Sequence, residues 1–257
     1  MPLDRRSFLK ASATIATAHL LGSGSTAKAA TSNKFKAIAF DAFVLFDPRP
    51  IATLAENLFP GHGNDLMNEW RTRQFEYTWL RTITQRYASF WQITRDALTY
   101  ATARLKLNPS AEQITRLMQA YLELTPWPDV PPILATLKSA GIRLSILSNF
   151  TPQMLASCIK TSGLDGVFEQ VLSTDAVRSF KPDPRTYEMG LHALQLTRDQ
   201  ILFAAFAGWD AAGAKTFGYP TFWNKRLDAP PEELGVSADA TGKTLKDLLH
   251  FMDVPNL

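Results

Sequence analysis

Four stretches of this 257-residue chain carry side chains able to attack, exchange protons or hold an anion, and each follows an apolar run. Asp41 comes directly after Phe35-Lys36-Ala37-Ile38-Ala39-Phe40, and Ser148-Asn149 after residues 142–147. Lys181 stands in Ser179-Phe180-Lys181-Pro182-Asp183, beyond Val171-Leu172, and Asp210 in Ala207-Gly208-Trp209-Asp210, after residues 201–204. Taken singly, an Asp or a Ser-Asn at such a place is commonly a turn or a helix N-cap, and a Lys-Pro a surface turn. Together, in this order and at successive strand ends, they fall where open α/β sheets bind ligands, beyond the carboxyl ends of the strands. Other chemistries lack their residues. Cys158 is the single cysteine, so no internal disulfide or cysteine-cluster metal site forms. His62, His192 and His250 are far apart and without ligand spacing, which disfavours zinc and a Ser-His-Asp triad.

The elements that must position these residues follow from periodicity. Residues 35–40 predict a first strand, and Asp47-Pro48-Arg49-Pro50 a turn. From there to about Trp127 no strand is evident, and residues 51–59, 64–81, 88–107 and 110–124 carry helical spacing. Ser110-Ala111-Glu112-Gln113 reads as a capping box. From Asp129 helices and strands alternate: a helix ending at Gly141, a strand at 142–147, a helix at 152–162 stopping at Gly163, and strands at 171–172, 201–204 and 220–223. Helices at 184–195 and 211–217 lie between the later strands. Repeated βα units predict an α/β fold with a parallel sheet covered on both faces, interrupted after its first strand by a helical module.

Hydrophobic residues make up 46% of the chain and charged residues 20%, enough for a sizeable core. The net charge of +3 would suit an anionic partner such as nucleic acid, but its placement argues otherwise. Arg5, Arg6, Lys10 and Lys28 against Asp4 account for the whole excess, all within residues 1–29. Asp4-Arg5-Arg6-Ser7-Phe8-Leu9-Lys10 looks like a twin-arginine export signal, followed by an uncharged stretch from Ala11 to Ala27 and a small-x-small site, Ala27-Lys28-Ala29. The expectation is a signal peptide over residues 1–29, cut near Ala29, that delivers the protein to the periplasm through the export machinery, with no nucleic-acid partner.

The order Asp41, Ser148-Asn149, Lys181-Pro182-Asp183, Asp210 resembles the haloacid dehalogenase superfamily, whose Rossmann-like parallel sheet carries an inserted cap. Within it, Trp70-Arg71-Thr72-Arg73-Gln74-Phe75-Glu76-Tyr77-Thr78-Trp79-Leu80 is similar to the type II (S)-2-haloacid dehalogenases, as are Ile146-Leu147-Ser148-Asn149, Tyr187-Glu188 and Gly208-Trp209-Asp210-Ala211-Ala212-Gly213-Ala214. The resemblance covers roughly residues 35–250. It implies a core of residues 30–47 and 127–257 and an all-helical cap over 48–126.

The resemblance also implies roles. Asp41 attacks the halogen-bearing carbon and forms an aspartyl ester. Lys181 pairs with Asp41 and favours its carboxylate form. Ser148 and backbone amides hold the substrate carboxylate, Arg71 and Asn149 take the halide, and Asp210 orients or deprotonates the hydrolytic water. Tyr187 is expected at the substrate site near Lys181, and Phe43, Phe90 and Trp209 as an apolar wall. Without the resemblance the alternative reading of Arg71 is a surface ion pair on a cap helix. The superfamily's phosphatases place a second Asp two residues after the first, where this chain has Phe43, and a second acid in the last motif, where Asp210 stands alone. Too few carboxylates remain to hold the magnesium a phosphate needs, so neither metal nor cofactor is expected.

Two departures bear on turnover. The usual Asp-x-Tyr-Gly-Thr-Leu is Asp41-Ala42-Phe43-Val44-Leu45-Phe46 here, and the Ser and Asn that precede the last Asp correspond to Ala205 and Ala207. Losing such donors costs on the order of 10²–10³ in rate unless replaced, and the step at stake is ester hydrolysis. The leading expectation is hydrolysis of short (S)-2-haloalkanoic acids to (R)-2-hydroxy acids, with a homodimer implied by the resemblance. Alternatives left open are an exported superfamily hydrolase of another small molecule, phosphatase-like, and a binding protein or pseudoenzyme impaired in ester hydrolysis.

Overall fold

A computed structural model describes residues 34–255. The expected leader, residues 1–29, lies outside the described residues. Strand β1 (Ala37–Phe40) is buried at every position, the signature of a central strand covered on both faces. Asp41 follows it and caps a single helical turn, α1 (Ala42–Leu45), accepting from the Phe43 amide at 3.0 Å. Of the turn expected at Asp47-Pro48-Arg49-Pro50, Arg49 and Pro50 already belong to the next helix.

The chain then leaves the sheet. Helices α2 (Arg49–Leu58), α3 (Gly63–Ile83), α4 (Phe90–Arg104) and α5 (Ala111–Ala120) follow without a strand. The capping box at Ser110 and Gln113 forms in both directions, at 3.1 and 2.8 Å. The outgoing and returning segments are stitched together. Phe46 and Pro126 form an antiparallel bridge, and the Asp47 amide donates to Thr125 O. The Trp127 ring lies between the guanidinium groups of Arg49 (4.5 Å) and Arg226 (4.8 Å), each paired with its own aspartate, Asp47 and Asp129. The same indole donates to Phe43 O at 3.0 Å, which ties the crossover to the segment just after Asp41.

The alternating part then runs α6 (Val130–Ser139), β2 (Arg143–Ser148), α7 (Pro152–Thr161), β3 (Gln170–Ser173), α8 (Pro184–Leu194), β4 (Ile201–Ala205), α9 (Gly208–Phe217), β5 (Thr221–Asn224), β6 (Ala240–Gly242) and α10 (Leu245–Phe251). All strand pairs are parallel, in the order β3-β2-β1-β4-β5-β6. Ile38, Phe40, Ile146 and Leu202 face one hydrophobic layer, and Ala37, Ala39, Ile201 and Phe203 the other. The chain steps outward from β1 through β2 to β3, then returns to the opposite side of β1 as β4. That reversal opens a crevice at the carboxyl ends of β1, β2 and β4.

Helix α9 begins three residues before the expected 211, so Asp210 sits in its first turn rather than in the preceding loop. A carboxylate there faces the positive end of the helix dipole. β6 and α10 carry no sequence expectation: three residues of Ala-Thr-Gly show no periodicity, and α10 is only seven residues long.

Candidate active site

Register places the chemistry. Phe40 pairs with Ile146 on β2 and Ala204 on β4, so the residues just beyond these strands converge. Asp41, Ser148, Asn149 and Asp210 line one cavity. Arg71 and Phe75 of α3 and Phe90 of α4 form its roof, and Phe43, Phe150, Phe206, Ala207 and Trp209 complete the walls. Phe75, Phe150 and Phe206 were not singled out from the sequence. Phe150 and Phe206 directly follow residues that were, Asn149 and Ala205, and adjacency to a strand-end motif was the available signal.

Lys181 lies beneath the cavity and does not line it. Its ammonium is 1% exposed and donates to Asp41 Oδ1 at 2.7 Å, Asp210 Oδ2 at 2.6 Å and Leu147 O at 3.3 Å. All three N–H directions are thereby used. Burial alone would lower the Lys181 pKa, but Asp210 and Asp41 outweigh it and the net shift is upward. The Asp41 carboxylate is fixed from two sides, by Lys181 on Oδ1 and by the Phe43 amide on Oδ2.

Asp210 is held as firmly. Its second oxygen accepts from Tyr187 Oη at 2.8 Å. Burial pushes its carboxyl up to about 6, opposed by Lys181 and reinforced by Asp41. Tyr187 corrects an expectation: it is wholly buried behind Asp210 and does not line the cavity. It comes so close because α9 presents Gly213, where a Cβ would stand 2.6 Å from both Tyr187 Oη and Pro182 Cβ. Burial, then Asp210, raise the Tyr187 phenol well above its ordinary value, so it acts as a donor.

Arg71 is treated differently. The residue is partly exposed, but its guanidinium sits among the rings of Phe206 (5.3 Å), Phe43 (5.7 Å) and Phe75 (5.8 Å). Among the described residues no carboxylate forms an ion pair with it, so the surface ion pair is not its structural role. Burial lowers its pKa against the pull of Tyr121 and Asp41, though an arginine remains charged.

Asn149 is equally suggestive. Its Oδ1 accepts from the Lys181 amide (3.0 Å) and Thr174 Oγ1 (3.3 Å), while its buried Nδ2 has no partner. Ser148 Oγ accepts from the Phe150 amide at 3.1 Å. Ala205 and Ala207, beside Asp210, bring no hydroxyl or amide side chain. The cavity thus sets a charge-paired floor below and an unpaired cation with a free amide donor around an apolar space, a geometry for a small organic anion.

Sheet order and floor together define a class, and the sequence agrees: residues 11–218 match the haloacid dehalogenase-like hydrolases, and the chain belongs to that family. Its relatives narrow the comparison. It is 40% identical over 219 residues to an (S)-2-haloacid dehalogenase of Pseudomonas sp. (strain YL), covering 85% of this chain and 94% of that protein. It is 37% identical over 222 residues to a haloacetate dehalogenase of Moraxella sp. (strain B), covering 86% of this chain and 99% of that protein. Its fold is similar to the L-2-haloacid dehalogenase of Xanthobacter autotrophicus with chloropropionic acid covalently bound (TM-score 0.78, 35% identity, 85% of this chain and 98% of that one).

Proposed function

We propose that the protein hydrolyses short (S)-2-haloalkanoic acids to (R)-2-hydroxy acids through an ester on Asp41. The observation that carries this reading is the opposition of two groups across one apolar cavity: a carboxylate fixed by Lys181 and an arginine with no carboxylate partner among the described residues. The buried charges of Asp41, Asp210, Lys181 and Arg71 balance, so an incoming anion finds a compensating cation only at the roof. Relatives that are haloacid dehalogenases support the same reaction.

The substrate carboxylate takes Ser148 and nearby backbone amides, and its halogen-bearing carbon lies above Asp41. A carboxylate oxygen of Asp41 attacks that carbon in line; the new C–O bond forms as the carbon–halogen bond breaks, and the electron pair leaves with the halide. Arg71 and the free Asn149 Nδ2 receive the halide, which needs no proton. Water then adds to the ester carbonyl of Asp41, one proton passing to Asp210 and from there to the departing alkoxide, and the other leaving Asp41 for solvent as its carboxylate is restored. The second half leaves the chiral carbon untouched, so the single inversion converts S to R. Phe43, Phe90 and Trp209 keep bulk water off the carbon, and Lys181 supplies the positive charge that two adjacent carboxylates require. Chloroacetate is the simplest substrate of the class.

Purified protein should release one halide per 2-chloropropionate consumed, and Asp41→Asn should release none. Equal halide release from that variant would overturn the reading.

Three further properties belong to it. The helical segment from α2 to α5 acts as a cap closing over the site, and residues 1–29 act as a twin-arginine signal that exports the enzyme to the periplasm. The exposed Leu80 and Ile83 of α3 are the surface on which two copies pair as a homodimer. Cell fractionation of Arg5→Lys/Arg6→Lys against wild type tests export. Sedimentation of Ile83→Glu tests the dimer.

A further inference from the structure

Five phenylalanines and a tryptophan form the sides of the cavity as one belt of touching rings. Phe206 meets Phe43 at 5.6 Å between centroids, Phe43 meets Phe150 at 5.1 Å, and Phe150 meets Phe90 at 5.6 Å. Phe90 meets Phe75 at 6.4 Å, and Phe75 meets Trp209 at 5.1 Å. These are the separations of aromatic rings in contact. The two ends of the belt, Phe206 and Trp209, stand on either side of Ala207 in the chain. Among the described residues Ala207 is the one apolar side chain lining the cavity that is not aromatic. All five phenylalanines are buried, so a ring swings aside only by displacing its neighbours. The backbone of Phe206 is held as well, its carbonyl accepting from Trp223 Nε1 at 3.1 Å.

The reaction fixes which way the alkyl group of a substrate points. In-line attack by Asp41 puts the halogen opposite, toward Arg71 in the roof, and leaves three substituents spread around the carbon between them. The sheet order β2-β1-β4 sets Ser148, which takes the carboxylate, on one side of Asp41, and Phe206, Ala207 and Trp209 on the other. With the carboxylate turned toward β2, the hydrogen and the alkyl group diverge toward β4. There they meet Ala207 and the rings at the two ends of the belt. A methyl group occupies the space that an alanine leaves in an aromatic wall. A longer chain runs into the ring of Phe206.

We propose that Ala207 and Phe206 form an alkyl subsite that stops at a methyl group, with Phe206 setting the limit, so that the enzyme takes two- and three-carbon 2-haloacids and rejects longer ones. The inference rests on the dehalogenation reading for the pose of the substrate. In wild type, kcat/KM for 2-chlorobutyrate should lie about tenfold or more below that for 2-chloropropionate, the effect of one methylene in a closed apolar pocket. Phe206→Val should raise the ratio of kcat/KM for 2-chlorobutyrate to that for chloroacetate by about tenfold or more. The Phe206 ring also lies 5.3 Å from the Arg71 guanidinium, but both acids release chloride to the same Arg71, so any disturbance there cancels in the ratio. Ala207→Val should act in the other sense, lowering 2-chloropropionate against chloroacetate by a similar factor. Phe150→Leu, on the β2 side of the belt, should leave both ratios where they are, and a variant that merely loosened packing would slow all three acids alike.

Equal kcat/KM for 2-chlorobutyrate and 2-chloropropionate in wild type would overturn the proposal. So would an unchanged ratio in a folded Phe206→Val protein, or a ratio that Phe150→Leu raises as much. Calorimetric binding of the unreactive acids acetate and butyrate separates this inference from the reaction. If wild type releases no halide but binds acetate more tightly than butyrate, and Phe206→Val removes the difference, the dehalogenation reading fails and the size limit stands. If wild type binds butyrate as tightly as acetate, or binds neither, the size limit falls whatever the halide result.

Discussion

Lys181 lies beneath the cavity and Arg71 in its roof, and the protein gives one of these cations two carboxylates and the other, among the described residues, none. Lys181 spends all three of its protons on Asp41, Asp210 and Leu147 O. Arg71 has aromatic faces around it and no carboxylate among the described residues. A buried charge with every partner in place belongs to the folded structure, and removing it strands the charges it compensated. A desolvated cation with no anion is a standing electrostatic cost that an anionic ligand relieves. The floor is therefore finished before substrate arrives, and the roof is finished by it.

The largest test of that contrast is Lys181→Met. It leaves two buried carboxylates side by side and should lower unfolding free energy by about 3–5 kcal/mol, measured by urea denaturation, with halide release falling to background. Arg71→Leu should separate the two properties. Halide release should drop on the order of 10²–10³ while urea stability stays level or rises, since an unpaired charge has been removed. A stability loss equal to that of Lys181→Met would break the contrast.

Asp210 gives a pH signature of intermediate size. Its carboxyl lies at about 6, and only the ionised form accepts a proton from water. Ester hydrolysis should therefore fall as pH drops through about 6 and level off above it, measured by rapid-quench decay of the alkylated protein. The stability linkage has the opposite sense. A raised acid contributes stability that is full below its unfolded value of 3.8 and is lost as pH rises to about 6, so the base is gained where this contribution ends. The smallest effect belongs to Tyr187→Phe. Losing one donor to Asp210 should slow ester hydrolysis by about tenfold or less and move the acid limb to higher pH, because that bond holds the carboxyl down.

The sequence made the floor legible because its residues stand at the ends of strands with clear apolar runs. Asp41, Ser148, Asn149 and Asp210 surround one cavity with Lys181 beneath them. Helices α2 to α5 were equally readable from their spacing, to within a few residues at each end. What escaped depended on contacts across the chain. Tyr187 read as a substrate contact through the resemblance, which says nothing about Gly213, the residue that lets it pass behind Asp210. Phe75 is indistinguishable in sequence from a core aromatic, Phe150 and Phe206 are marked only by their place beside Asn149 and Ala205, and the closure of α3 and α4 over the sheet turns them into walls. Gln74, Thr94 and Tyr121 form a network across helices that no local pattern announces.

The central claim is that Asp41, not water, attacks the carbon. A single turnover of excess enzyme with 2-chloropropionate in ¹⁸O-labelled water tests it directly, because water enters at the ester carbonyl and the product oxygen comes from the aspartate. The account predicts unlabelled 2-hydroxypropionate and one ¹⁸O on the peptide containing Asp41. Labelled product with an unlabelled Asp41 would contradict it.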